Sequence, residues 1–113
     1  MLDVHSFYLG LLPRLARTIA AVAQQDADLA RQLKRASASV ALNFSEGYGS
    51  TKGTRRARFE SALGSLRETI GGLDVALAFG YLSDGDIRQD LDRAAAMTWR
   101  LLHPRPLSSD RRN

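Results

Sequence analysis

Cysteine is absent from the 113-residue chain, aromatic residues make up only 7% of it, and there are three prolines. Without cysteine there is no disulfide and no thiolate metal site, and nothing demands an oxidising compartment, so the cytoplasm is the expected location. No apolar run approaches the roughly 20 residues of a membrane span, and the stretch Phe7 to Leu12 is far too short for one. The opening residues MLDVHSF carry an acid where a secretory signal carries basic residues, so no signal peptide and no membrane association are expected. Sustained apolar/polar alternation is missing as well, which removes the main sign of β-strands.

What remains is a helical chain. Hydrophobic residues make up 44% and charged residues 25%, the proportions of a packed globular domain, and a chain of this length buries about two-thirds of its unfolded surface. Apolar residues recur near every 3.6 positions in four stretches. Val4, Tyr8, Leu11, Leu12, Leu15, Ile19 and Val22 form the first stripe, continuing across Pro13, which predicts one helix kinked at the proline. Asp26 is placed to cap a second helix whose stripe is Leu29, Leu33, Ala36, Val40 and Phe44, ending near Tyr48. The segment GYGSTKGT breaks helix through Gly47, Gly49 and Gly53, and Thr54 is the expected cap of the third. That helix carries Phe59, Ala62, Leu63, Leu66, Ile70, Leu73 and Leu77 inward and stops at Gly80. Ser83 and Asp86 resemble a capping box before a fourth helix, with Ile87, Leu91, Ala94, Thr98 and Leu101 inward, and Pro104 and Pro106 end it. The fold class follows: all-α, an antiparallel up-down-up-down four-helix bundle over residues 1–104, with a frayed tail at 105–113.

Beside the apolar stripe of helix 2 runs a polar one: Gln32, Arg35, Ser39, Asn43 and Glu46. Helix 3 offers a matching flank of small or hydroxyl side chains, Ser65, Thr69, Gly72 and Ala76. Packing these flanks together predicts a structural polar network of Arg35, Ser39, Asn43, Glu46 and Ser65, with Asn43 and Glu46 partly buried. A catalytic carboxylate at Glu46, with Glu68 as its partner, is the competing reading, but no nucleophile or histidine accompanies it. A di-iron site needs Glu-x-x-His on facing helices, and neither His5 nor His103 has a glutamate three residues before it. A bundle ribonuclease pairing arginine with histidine finds only Arg100 and His103, too close together and at a helix end. His103 is expected at the helix C-terminus facing its dipole, and His5 in solvent. The glycine-rich segment with Lys52 lacks the strand and the spacing of a phosphate-binding Walker loop and reads as a connector. The chain is therefore expected to carry no catalytic residue, no metal and no cofactor.

The run QLKRASASVALNFSEGYG, from Gln32 to Gly49, followed by FESALGSLRETI and FGYL, resembles the bacterial four-helix bundle proteins first noticed within intervening sequences of 23S ribosomal RNA genes. The family helix reads roughly Q-L-x-R-A-x-x-S-I-x-x-N-x-x-E-G, and Gln32, Leu33, Arg35, Ala36, Ser39, Asn43, Glu46 and Gly47 occupy those places. Its next helix carries A-x-G-S-L-x-E, met by Ala62, Gly64, Ser65, Leu66 and Glu68, and Tyr81 and Leu82 meet a G-Y-L ending. Val40 replaces the usual isoleucine, Phe44 a smaller aliphatic, and Ser50 and Thr51 stand where arginine is common. The resemblance implies a homo-oligomeric ring of five chains and no established enzymatic activity. In architecture the chain is also similar to the accessory bundle proteins of diversity-generating retroelements, basic pentamers that bind nucleic acid and a reverse transcriptase.

Charge distribution bears on function directly. Residues 31–67 hold eight Lys/Arg against Glu46 and Glu60, a net +6, whereas residues 68–93 hold six acids against Arg88 and Arg93, a net −4. One expectation is a sequence-tolerant RNA- or DNA-binding surface of Arg31, Lys34, Lys52, Arg55, Arg56, Arg58 and Arg67; its plain counterpart is a solvated helical face. Arginines at the start of a helix oppose its dipole, so a compensating reason for them is expected. The other expectation is a structural or adaptor ring whose partners are proteins. Self-association is expected from apolar residues off the core stripes: Val75, Phe79 and Leu82 as one patch, with Leu42 and Trp99.

Overall fold

The computed structural model describes residues 3–104 and contains four α-helices: α1 Val4–Ala23, α2 Ala27–Tyr48, α3 Lys52–Ala78 and α4 Asp86–Leu102. The expected tail at 105–113 lies outside the described residues. Each helix packs on its two neighbours in a closed cycle, with α2 and α3 in the most extensive contact. Residue pairs fix the directions. His5 stacks on Tyr48 while Tyr8 reaches Ser37, Gly47 meets Phe59 while Gly72 meets Leu33, Asp74 bonds Arg88 while Arg56 reaches Leu102, and Arg14 bonds Asp90 while Arg93 covers Phe7. In every pair one number rises as the other falls, so all four contacts are antiparallel and the bundle runs up-down-up-down.

The core is the set of stripes read from the sequence, closed by Tyr8, Leu15, Val22, Leu33, Val40, Phe44, Leu66, Leu73 and Leu91 at 0–1% exposure. α1 runs unbroken through Pro13 because the carbonyl that proline leaves without a donor belongs to exposed Leu9, where water reaches it. The Asp26 carboxylate accepts from the Leu29 N–H at 2.9 Å, capping α2. At the other end of α3, Gly80 takes φ +79°. Its N–H donates to the Leu77 carbonyl at 3.0 Å and that of Tyr81 to the Ala76 carbonyl at 2.8 Å, the bond pair of a Schellman stop.

Several local expectations are corrected. α3 begins at Lys52, with Thr51 and not Thr54 in the capping position; Gly53 is accommodated because first-turn N–H groups are unpaired in any helix. Only Gly49 to Thr51 therefore separate α2 from α3. α4 starts from Gly85 instead of a Ser83–Asp86 box, and the Asp84 carboxylate accepts from the Asp86 N–H at 3.2 Å. Leu102 is buried and Leu101 is 45% exposed, the reverse of expectation. The buried stripe Leu91, Ala94, Thr98 continues by four positions to Leu102 and not by three to Leu101, which turns to the flank of α4. His5 is half-buried, 6.1 Å from the rings of Phe44 and Tyr48, and is not free in solvent. No helix of the described residues is long and apolar enough to cross a membrane.

Candidate nucleic-acid interface

The polar flanks of α2 and α3 meet as the sequence suggests, but with fewer members. Ser39 Oγ lies 2.8 Å from Ser65 Oγ across the helix pair. Asn43 Nδ2 donates to the Ser39 carbonyl at 2.9 Å and to its Oγ at 3.1 Å, and Thr69 donates to the Ser65 carbonyl at 2.9 Å. Arg35 and Glu46 stand outside this network. Arg35 is exposed, and Glu46, expected to be partly buried, is exposed and paired with Arg58 at 3.2 Å. Arg35 is solvated, and Glu46 meets α3 only at its exposed edge, through Arg58. Among the described residues no buried side-chain polar atom lacks a partner.

The seven basic residues do not form one surface. Lys52, Arg55, Arg56 and Arg58 gather at the start of α3, where α2 and α4 end. Arg31 and Lys34 lie about 20 Å away along α2, at 1.5 Å per residue, and Arg67 is exposed in the middle of α3. Arg31 is paired with Asp28 within its own helix. Much of what the clustered arginines do is structural. Arg55 Nε donates to the Gly47 carbonyl at 3.2 Å and its Nη2 to the Tyr48 carbonyl at 3.3 Å, the last carbonyls of α2. Arg56 Nη1 donates to the Leu102 carbonyl at 2.8 Å, the last of α4, and its Nε is 3.6 Å from Glu60. Sequence reasoning posed the question of arginines at a helix start; the answer is the C-termini of two antiparallel neighbours, whose partial negative charge and unpaired carbonyls sit beside them. Each guanidinium has five N–H donors, so both keep donors for solvent or an anion.

Arg100 and His103, weighed in the sequence as an arginine–histidine pair, stand at the same end. Arg100 is exposed, and His103 closes α4, its N–H donating to the Trp99 carbonyl at 2.9 Å with Nδ1 3.0 Å from the same oxygen. The His103 ring stacks on Trp99 with centroids 4.0 Å apart and planes 18° apart. The arginine–histidine pair considered for a ribonuclease is thus a helix end and its neighbour. Among the described residues no three His, Cys, Asp or Glu side chains cluster as metal ligands would.

The opposite end of the bundle is acidic. Arg88 there holds Asp74 at 2.6 Å and also pairs with Asp92, and its guanidinium keeps the Asp74 carboxyl below the usual range. Arg14 meets Asp90 at 2.8 Å. The apolar residues proposed as one patch divide. Val75 and Phe79 are 42% and 67% exposed, and Phe79 lies 5.5 Å from the Tyr81 ring. Leu82 does not join them: it is half-buried against the core, because the chain reverses at Gly80 and the helical period ends there. Leu42, 64% exposed, stands on the outer face of α2, and Trp99 at the basic end. A feature missed from the sequence is a groove of about 620 Å³ between α1 and α2, floored by Leu12, Ala16, Ile19, Ala20 and Ala30 and edged by Lys34. Its signal is the alanine-rich flank of both helices.

Among curated proteins and among solved structures nothing matches the chain. The family model described as 23S rRNA-intervening sequence protein matches residues 14–102. That span runs from the second half of α1 to the last residue of α4, across the Ser39–Asn43–Ser65 contact and the arginine-capped helix ends, and the chain belongs to this family.

Proposed function

We propose that the protein is a non-catalytic, self-associating bundle of the cytoplasm that binds RNA or DNA without sequence preference at the end where α3 begins. The observation that carries this reading is the convergence of Lys52, Arg55, Arg56, Arg58 and Arg100 on one end of a bundle whose other end is rich in aspartate. Phosphate contacts by such a group are sequence-independent and weaken with salt. Self-association, in the five-chain ring that the family resemblance implies, repeats the basic end around one surface and raises a weak contact by avidity. Val75 and Phe79 are the apolar residues offered for that assembly, and they lie far enough from the basic end to leave it open.

Gel-shift titrations with mixed RNA and DNA over a range of salt test the binding. Lys52 and Arg100 make no hydrogen bond or ion pair among the described residues, so replacing both with glutamine removes their charge and breaks none of the bonds that Arg55 and Arg56 give the helix ends. Retarded complexes at low salt that weaken in this variant are expected; none at low salt refutes the reading. Light scattering tests the assembly separately: Phe79→Asp is expected to shift it toward monomers, and a monomeric wild type at micromolar concentration removes the ring. The α1–α2 groove favours a second reading, an adaptor for protein partners, under which Lys52 and Arg100 would be irrelevant and groove-filling Ala20→Gln would abolish the interaction.

A further inference from the structure

We infer that the last turn of α4 is a stacking site for single-stranded nucleic acid, with the Trp99 indole as the platform for a base and Arg100, Arg56 and Lys52 as its phosphate contacts. The inference rests on the nucleic-acid reading above and narrows it from any polyanion to strands with unpaired bases.

Trp99 is the only tryptophan in the chain and is 47% exposed, although a ring of this size ordinarily covers most of itself in a core or an interface. It is not loose. The His103 imidazole stacks along it at 4.0 Å and is itself held to the Trp99 carbonyl, so the indole has a supported side and an open one. Trp99, Arg100 and His103, with Ala96, line a shallow depression of about 570 Å³. A second depression of similar volume lies over Ser50, Thr51, Lys52 and Arg55. Arg56, next in sequence to Arg55, is anchored on the Leu102 carbonyl and so ties the start of α3 to the last turn of α4.

A copy of this chain is the competing occupant, and the surroundings argue against it. The exposed side chains next to the indole are Arg100, His103 and the small Ala96, and the large apolar Leu101 projects from the other side of α4, two residues or about 200° away. No continuous apolar patch forms around Trp99. A helix C-terminus repels phosphate, but here the Arg56 guanidinium occupies the Leu102 carbonyl and offsets that charge. Of the acids at this end, Glu46 and Glu60 are each beside an arginine, and Asp3 caps α1, accepting from the Ser6 N–H at 2.7 Å. An aromatic face among cations is the combination that holds single strands: bases stack on the ring, and the backbone follows the charges. A duplex keeps its bases stacked on one another and offers the indole nothing but its ends.

Because Trp99 is unique, its own fluorescence reports the contact in the unaltered full chain. Titration with an oligothymidylate at low salt is expected to quench it, whereas a duplex of equal length is expected to bind with little change in emission. Trp99→Ala is expected to weaken oligothymidylate binding about tenfold while leaving duplex affinity and helical content as they were, and Trp99→Phe is expected to restore most of the loss. Oligothymidylate binding with unchanged fluorescence and equal affinity in Trp99→Ala overturns this inference and leaves the nucleic-acid reading standing. An equal loss for duplex and single strand, or a changed assembly state in Trp99→Ala, also overturns it. Binding of neither probe by the wild type refutes the broader reading.

Discussion

Gly47 is the position where the α2–α3 contact is most sensitive to a single carbon atom. It sits one residue from the end of α2, and a Cβ there would lie 2.6 Å from Phe59 Cε1, 2.7 Å from Cδ1 and 3.4 Å from Arg58 Cβ. Phe59 has little freedom to give way: it is 4% exposed and meets Phe44 and Tyr48 edge-on, with ring centroids 6.3 and 5.0 Å away. Overpacking of this kind costs about 1–3 kcal/mol, against a gain of at most about 1 kcal/mol for alanine over glycine within a helix. Gly10, in the middle of α1 with nothing within 4 Å of its would-be Cβ, takes the gain without the cost. Gly10→Ala should therefore raise stability, and Gly47→Ala should fall about 1–3 kcal/mol below it. Urea unfolding followed by circular dichroism, at equal protomer concentration, measures the gap. A Phe59→Leu change made in the Gly47→Ala background should cost less than it does in the wild type, by about 1 kcal/mol or more, since the ring that must move is gone. Equal stability of the two alanine variants, or purely additive effects of Gly47→Ala and Phe59→Leu, would refute the close-contact argument.

Tyr8→Phe should cost about 0.5–1.5 kcal/mol by leaving the buried Ser37 carbonyl without the 2.8 Å bond from the phenol. Burial also pushes the Tyr8 phenol well above its ordinary value. The folded state then holds its proton past the unfolded pKa of about 10, so stability is complete below that pH and falls as pH rises through the alkaline range. Tyr8→Phe should flatten this alkaline limb in pH-dependent melts, and an unchanged slope would exclude Tyr8 as its source. Ser65→Ala should lower the denaturation midpoint by the loss of one inter-helix hydrogen bond, about 0.5–1.5 kcal/mol, and Ser39→Ala should cost less in that background than alone, where it loses both this bond and the one from Asn43; full additivity would show that the two hydroxyls do not act together. Arg56→Gln should lower the melting temperature slightly at low salt and less at high salt, because it removes a cation from the α4 C-terminus; a salt-independent loss would point to packing instead.

The bundle was legible because its evidence is periodic. Val4, Tyr8, Leu11 and Leu15, or Phe59, Leu63, Leu66 and Ile70, recur at helical spacing, and burying each stripe against three others allows few arrangements. Helix ends were read less well, since the choice between Thr51 and Thr54, or Gly85 and Ser83, depends on which carbonyl closes the first turn and not on residue type. The Ser39–Asn43–Ser65 contact was legible from matching polar and small flanks. Glu46 was misplaced because angular position on a helix does not say how far a long side chain reaches. The split of the apolar patch had the same kind of cause: Leu82 follows the period of α3 on paper, but Gly80 ends that period two residues earlier.

The basic residues show why charge along a sequence is an incomplete guide to charge in space. The net +6 of residues 31–67 is one block in the chain and two groups in the fold, because α2 and α3 are antiparallel and their arginines lie toward opposite ends. In any up-down bundle the start of one helix is surrounded by the ends of its two neighbours, so a cation in a first turn, unfavourable for its own helix, is favourable for the others. Arg55 and Arg56 occupy that position toward α2 and α4. Their structural role accounts for their presence without any ligand, and it leaves Lys52 and Arg100 as the cations of that end with no hydrogen bond or ion pair among the described residues. The distinction decides where function is sought. A loss of nucleic-acid binding on changing Arg55 or Arg56 is ambiguous between a loosened bundle end and a lost phosphate contact, whereas the same loss on changing Lys52 or Arg100, with helical content and melting temperature unaltered, identifies a surface whose charge serves a partner.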